Sequence, residues 1–245
     1  GLIFFYIGRK EKQTISIYEQ LFLVFLVYFL IPLFILMPFY FSGYEVSFID
    51  SYFESVSGLT GTGFTIFEHI KGIDSPLILW RSSSQWIGGF YFLIFLVLIF
   101  SNKHINFKMI GLSFNLEKKI DFSSNLISVS NRIFLIYLSL TILISSLFLI
   151  SGIRIFDSLN LTMTVISSGG FLPTDSLNDI IRNNFQSLFL CFAFLLSILN
   201  FYLIYNLILE RDNLKKHTED IFIIALVIIF SVTFYFMNDL NLSSV

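Results

Sequence analysis

The chain has 245 residues, of which 56% are apolar and 13% are charged, and its mean hydropathy is +0.81. A soluble domain usually carries about a quarter charged residues, so the composition excludes an ordinary soluble domain and favours an all-α, multi-pass membrane protein. The net charge is −2, and Cys191 is the only cysteine, which excludes an internal disulfide and a cysteine metal cluster.

Five stretches of the chain contain no Asp, Glu, Lys or Arg, and each predicts a membrane helix: 20–44, 82–102, 133–153, 183–209 and 221–238. Crossing the hydrocarbon core takes roughly 20 apolar residues, so the first four are long enough and the fifth is borderline. Residues 1–12 are interpreted as the end of a preceding helix and a cytoplasmic linker, and no signal peptide is predicted there.

The basic residues predict the orientation. Eleven of the 15 Lys and Arg residues lie before the first stretch, between the second and third, or after the fourth. Lys71, Arg81, Arg154 and Arg182 remain for the other side. Since cytoplasmic loops carry an excess of Lys and Arg, the first side is predicted to be cytoplasmic. The outer side has nine acidic residues, which would concentrate cations there or simply form solvated loops.

The segments 50–64 and 157–171 match when one is shifted by 107 positions. The flanking apolar stretches shift by about the same distance, so the chain is predicted to repeat a unit of helix, short amphipathic segment, Gly-rich turn and helix. The coinciding pairs are Asp50 and Asp157, Ser51 and Ser158, Ser55 and Thr162, Ser57 and Thr164, Thr60 and Ser167, Gly63 and Gly170, and Phe64 and Phe171.

The short segments 50–60 and 157–167 are each about 11 residues long, which is roughly 16 Å of helix, or half a bilayer. Irregular backbone is tolerated at membrane depth only where protein buries it or a water-filled cavity adjoins it. We therefore expect each segment to dip in from the outer face as a helix, with the chain returning extended through 61–65 and 168–172.

The end of each short helix has the chemistry of a cation site. A helix C-terminus carries partial negative charge, and backbone carbonyls can replace the hydration shell of an ion. Gly63 and Gly170 suit a positive φ, and the added hydroxyl acceptors are Thr60, Thr62, Ser167 and Ser168. The alternative is a pair of surface turns, since Gly and Ser favour turns generally.

Four motifs resemble the Trk/Ktr/HKT superfamily of potassium transporters, and most nearly the membrane (TrkH-type) subunit of bacterial Trk systems. They are FESVSGLTGTGF (53–64), LILWRSSSQWIGG (77–89), TVISSGGF (164–171) and LLSILNFYL (195–203). The resemblance covers most of the chain. It implies four helix–pore-loop–helix repeats around a single pore, of which this sequence holds two and the start of a third.

Carried over by position, the resemblance implies repeats at 17–101 and 128–211, a cytoplasmic linker at 102–127, and the start of a third repeat at 212–245. It also implies a selectivity filter with K⁺ held at Gly61, Thr62, Ser168 and Gly169. The filter residues are Gly61, Thr62, Gly63, Phe64, Ser168, Gly169, Gly170 and Phe171. Glycine at positions 63 and 170 goes with K⁺ rather than Na⁺ in this superfamily.

The sequence therefore predicts uptake of K⁺, the transported ion, across the cytoplasmic (inner) membrane through a channel-like pore. The alternatives are a Na⁺-selective or Na⁺/H⁺-coupled transporter of the same fold and a non-transporting scaffold or sensor. No enzyme, organic cofactor or nucleic-acid partner is predicted. The resemblance implies a homodimer in the lipid bilayer with a cytoplasmic nucleotide-binding (NAD/ATP) regulatory subunit.

Three polar residues near these segments are predicted to support the filter, each with an open alternative. Arg81 anchors its helix at the membrane interface or braces a pore loop through its backbone. Glu54 caps the filter network or reaches the outer vestibule. Asn200 makes an inter-helix hydrogen bond or lines the pore.

Overall fold

The computed structural model describes residues 17–100, 122–198, 222 and 225–229, and this part of the chain contains helices and no strands. The predicted helical architecture is confirmed for these residues. The helices are α1 (Ile17–Ile35), α2 (Met37–Tyr40), α3 (Phe48–Thr60), α4 (Ser75–Phe100), α5 (Phe122–Ile150), α6 (Ile155–Ile166) and α7 (Asn184–Ile198). Asn200, segment 1–12, residues 101–121 and most of 212–245 lie outside the described residues.

The two short helices begin slightly earlier than predicted. Helix α3 has 13 residues and starts at Phe48, because the Ser47 hydroxyl accepts a hydrogen bond from the Asp50 amide, 3.1 Å away, and caps the helix. Helix α6 has 12 residues and starts after Arg154. Each begins two residues before its predicted start, because the sequence pattern marks the amphipathic stretch and not the residues that initiate it.

Helix α5 begins at Phe122, within the segment 102–127 that the resemblance assigns to a linker and before the charge-free stretch that begins at 133. The residues from 122 to 131 include neither Gly nor Pro, so nothing interrupts the helical hydrogen bonds on the N-terminal side of the apolar stretch. Charge-free length therefore underestimates this helix.

Each half of the described chain has its own apolar core. In the first half, α3 packs against α1 and α4; in the second, α6 packs against α5 and α7. The buried core residues of the first half are Ile35, Phe39, Leu59, Ile70, Ile73, Leu77 and Ile78, and those of the second are Ile144, Phe148, Ile153, Leu161, Val165, Ile180, Leu190 and Ala193.

Helix α4 joins the two halves, since it also packs against α6. Two adjacent glycines allow this close packing on both sides. A Cβ on Gly88 would lie 3.0 Å from the Cα of Leu59 at the end of α3, and a Cβ on Gly89 would lie 2.9 Å from the Cβ of Ser167 just after α6. The backbone of α4 thus touches the ends of both short helices.

Outside the two apolar cores, many large apolar side chains are exposed and several polar side chains are buried. Large aromatic side chains on α1 face outward, with Phe22 68%, Phe25 64% and Phe29 65% exposed, while Glu54 and Gln85 are fully buried. In the described residues, two helical segments, Tyr18–Tyr40 and Ser130–Ile150, are long and apolar enough to cross a membrane.

Candidate ion-binding site

The two short helices end in matching turns, which we call turn 1 (residues 61–64) and turn 2 (residues 168–171). Gly61 and Ser168 both adopt the left-handed conformation, with φ of 68° and 54°. The Thr62 amide then donates to the Ser57 carbonyl at 3.0 Å, and the Gly169 amide donates to the Thr164 carbonyl at 2.9 Å. Both are Schellman-type endings, and their positions differ by the predicted 107 residues.

The backbones of the two turns lie against each other. A Cβ placed on Gly63 would lie 3.2 Å from the Cα of Gly170 and would also collide with the Gly169 carbonyl oxygen. A Cβ placed on Gly170 would lie 3.6 Å from the Cα of Gly63. Both glycines have positive φ, at 78° and 111°, so the backbone conformation favours glycine at both positions, and close approach requires it at Gly63 as well.

A hydroxyl from each short helix closes its own turn. Ser57 Oγ donates to the Phe64 carbonyl, and Thr164 Oγ1 donates to the Phe171 carbonyl, each at 2.6 Å. The internal repeat of the sequence pairs Ser57 with Thr164, but no role was predicted for either residue. The structure shows that the pair fixes the same peptide group in both turns.

The other predicted hydroxyls lie at the ends of the short helices. Thr60 Oγ1 donates to the Val56 carbonyl at 2.8 Å and lies 2.6 Å from Thr62 Oγ1. Ser167 Oγ donates to the Met163 carbonyl at 2.7 Å. Because each hydroxyl oxygen also has acceptor capacity, these groups can still bind a cation while they are hydrogen-bonded to the helix.

A buried ion pair lies behind the turns. Arg81 Nε donates to Glu54 Oε1 at 2.7 Å, and the two side chains are 1% and 0% exposed. Glu54 Oε2 also accepts from the Ile66 amide at 3.0 Å, just after turn 1. The side chain of Glu54 therefore lies inside the protein and does not reach an outer vestibule.

Arg81 contacts the segments that follow both turns. Its Nη2 donates to Thr65 Oγ1 at 3.0 Å, and its Nη1 lies 3.4 Å from the Leu172 carbonyl oxygen. The guanidinium carbon also lies 4.3 Å from the centre of the Phe171 ring, a cation–π contact. These are bracing contacts, while the neighbouring Trp80 bonds to the Ile35 carbonyl at the end of α1.

The buried residue Gln85 was not among the predicted site residues, although its stretch of helix α4 was considered as an interface anchor or a brace for the pore loop. Its Oε1 accepts from the Phe171 amide at 3.2 Å and lies 3.1 Å from Thr164 Oγ1. The available signal was its position four residues after Arg81, which places both side chains on one face of α4.

The loops that follow the two turns are also linked. Asp175 Oδ1 accepts from the Ile70 amide at 2.6 Å, and Lys71 Nζ pairs with Asp179 Oδ1 at 3.1 Å. The hydrogen bond from Lys71, followed by the one from Ser176, holds the pKa of the Asp179 carboxyl below its usual range. The pair is solvent-exposed, so it contributes little stability.

Comparisons with known proteins agree with this architecture, although no protein-family model matches the chain. The potassium uptake protein TrkH of Salmonella typhimurium is 24% identical over 251 residues, which are 97% of this chain and 51% of that protein. An uncharacterized cation transporter of Methanocaldococcus jannaschii, MJ1485, is 34% identical over 134 residues, 55% of this chain and 28% of that protein.

A solved structure has the same fold. The crystal structure of the potassium transporter TrkH from Vibrio parahaemolyticus matches 84% of this chain and 41% of its own, with a TM-score of 0.70 and 23% identity. The chain spans about half the length, or less, of the relatives that it matches.

The solved protein that shares this fold belongs to the class of potassium transporters. Within that class, the relatives confirm the resemblance of this chain to TrkH-type members of the Trk/Ktr/HKT superfamily.

Proposed function

We propose that this chain is part of a K⁺ uptake transporter of the cytoplasmic membrane and that the ion passes along the contact between turns 1 and 2. The observation that carries the proposal is the meeting of two short helices at one point, where each ends in a left-handed residue and a positive-φ glycine. Relatives that match 97% of the chain are named potassium uptake proteins.

The chemistry of the turns supports an alkali cation as the ligand. Two helix C-termini direct partial negative charge to the same place. The Gly169 carbonyl oxygen lies beside the Cα of Gly63, so a turn 2 carbonyl faces turn 1. The pore would use main-chain oxygens of Gly61, Thr62, Ser168 and Gly169, which bind weakly enough for an ion to leave.

The membrane part of the proposal rests on the large apolar side chains exposed on α1 and on the length of the apolar helical segments. The exposed phenylalanines of α1 suit contact with lipid chains, and α1 and α5 supply segments of spanning length. A negative-inside potential of 100 mV is worth about 2.3 kcal/mol per monovalent cation, which drives a roughly fifty-fold accumulation. The homodimer and the nucleotide-binding regulatory subunit that the resemblance implies are part of the same proposal.

The experiment is K⁺ uptake in a K⁺-transport-deficient strain that expresses the full-length gene, with Gly170→Asp as the test variant. Aspartate at a φ of 111° is strained, and strain of about 1–3 kcal/mol together with a carboxylate on the ion path is expected to lower uptake at least about tenfold. Gly43→Asp is the control, because a Cβ at Gly43 has no neighbour within 4 Å.

Gly43→Asp should take up K⁺ at the wild-type rate. Equal uptake by wild type and Gly170→Asp would contradict the position of the filter. Failure of the wild-type protein to support K⁺ uptake, at normal membrane expression, would contradict the function itself.

A further inference from the structure

Helix α4 of the first half supports the turn of the second half through Gln85. The Gln85 side chain is 0% exposed and packs directly on Gly169, where a Cβ would collide with the amide group. Its partners are 79 and 86 positions away in the sequence, so the contact exists only because α4 lies between α3 and α6.

The hydrogen-bond partners determine which atom of the Gln85 side-chain amide faces Phe171. The Phe171 backbone N–H can only donate, so the atom 3.2 Å from it must be the amide oxygen, Gln85 Oε1. Thr164 has one hydroxyl hydrogen and two acceptors, the Phe171 carbonyl at 2.6 Å and Gln85 Oε1 at 3.1 Å. The shorter bond takes that hydrogen, which leaves the Phe171 amide as the main donor to Gln85.

Gln85 and Thr164 therefore form hydrogen bonds with both backbone polar groups of Phe171. Thr164 binds the carbonyl oxygen and Gln85 binds the amide hydrogen. The Phe171 side chain is 1% exposed, whereas its counterpart in turn 1, Phe64, is 67% exposed. Within the described residues, turn 2 is thus the more firmly supported of the two.

The hydrogen bond from the Phe171 N–H to Gln85 determines the direction of the Gly170 carbonyl. The Gly170–Phe171 peptide is trans, and in a planar trans peptide the N–H and C=O bonds point in opposite directions. With the Phe171 N–H directed at Gln85, the Gly170 carbonyl is directed away from it. A peptide flip would break this hydrogen bond and leave the buried Gln85 Oε1 without its main donor, which is unfavourable.

We infer that Gln85 is a positioning residue for ion selectivity: its amide oxygen holds the Phe171 N–H and so keeps the Gly170 carbonyl turned toward the ion path. The inference rests on the proposed function, because it presumes that K⁺ passes turn 2. A filter whose carbonyl can rotate away has a less fixed set of oxygens, so discrimination between K⁺ and Na⁺ should fall.

The test is the ratio of K⁺ to Na⁺ uptake by the purified full-length transporter in liposomes. Gln85→Met keeps the length of the side chain and removes the oxygen, so the ratio is expected to fall about tenfold, as for the loss of about 1.4 kcal/mol. Gln85→Glu keeps an oxygen acceptor and should keep the ratio within about threefold of wild type.

The matched control is Thr141→Val, which removes the acceptor of the Trp86 Nε1 bond, 3.0 Å long, between α4 and α5. It breaks a helix–helix hydrogen bond without touching either turn, so the ratio should not change. If Gln85→Met does not yield folded protein, Gln85→Asn replaces it, because its amide is one methylene too short to reach Phe171.

The readout separates this inference from the proposed function. A wild-type ratio in Gln85→Met or Gln85→Asn, or an equal fall in Thr141→Val, would overturn the role of Gln85 and leave K⁺ transport intact. Absence of K⁺ uptake by the wild-type protein would overturn both.

Discussion

Gly63→Ala is expected to abolish K⁺ uptake by the full-length transporter. The new methyl group would collide with the Gly169 carbonyl oxygen and lie 3.2 Å from the Gly170 Cα, both of them backbone atoms that cannot rotate away. The residue would also have to hold a φ of 78°, at a cost of about 1–3 kcal/mol. Turn 1 would have to move away from turn 2 to relieve the collision or the backbone strain. We therefore expect uptake to fall by at least about a hundredfold.

Two other glycines separate the causes of this loss. Gly152 has a φ of 86° but no neighbour within 4 Å of a Cβ, so Gly152→Ala tests backbone strain without contact between the turns. Gly72 has neither feature, and Gly72→Ala tests the substitution alone. Uptake should persist in both, and a loss in Gly152→Ala as large as that in Gly63→Ala would mean that strain alone is responsible.

Arg81→Met is expected to lower the free energy of unfolding of the purified protein by about 3–5 kcal/mol, because it leaves the fully buried Glu54 carboxylate without its counter-ion. Thr65 and the Leu172 carbonyl also lose their contacts with the guanidinium. The measurement is equilibrium unfolding followed by tryptophan fluorescence.

A double-mutant cycle isolates the pair. Glu54→Gln leaves a buried guanidinium unpaired and should destabilise by a similar amount, while the double variant Arg81→Met with Glu54→Gln should lose less than the sum of the two. Lys71→Met is the control, since its pair with Asp179 is 59% and 34% exposed and should be worth at most about 1 kcal/mol. Strict additivity would contradict the coupling of Arg81 to Glu54.

The main features of the fold could be predicted because they are local. Charge-free length predicts α1 and most of α5, and the shift of 107 residues predicts that α3 and α6 are equivalent. The first residue of α3 was predicted less accurately, because it depends on the side-chain conformation of Ser47.

The site was less accessible from the sequence. Glycines 63 and 170 could be recognised, because a positive φ leaves a trace in residue type. Left-handed Ser168 could not, since serine gives no such signal. Gln85 and the link from Asp175 to the Ile70 amide join residues 86 and 105 positions apart, and only the packing of one half against the other brings these groups together.

The most direct test of the central claim is the structure of the full-length transporter in Tl⁺, a heavy stand-in for K⁺ whose anomalous scattering locates the ion. The account predicts a peak beside the contact of turns 1 and 2, coordinated by main-chain oxygens of residues 61–63 and 168–170. Tl⁺ bound only at carboxylates of the loops that follow the turns, with no peak beside this contact, would contradict it.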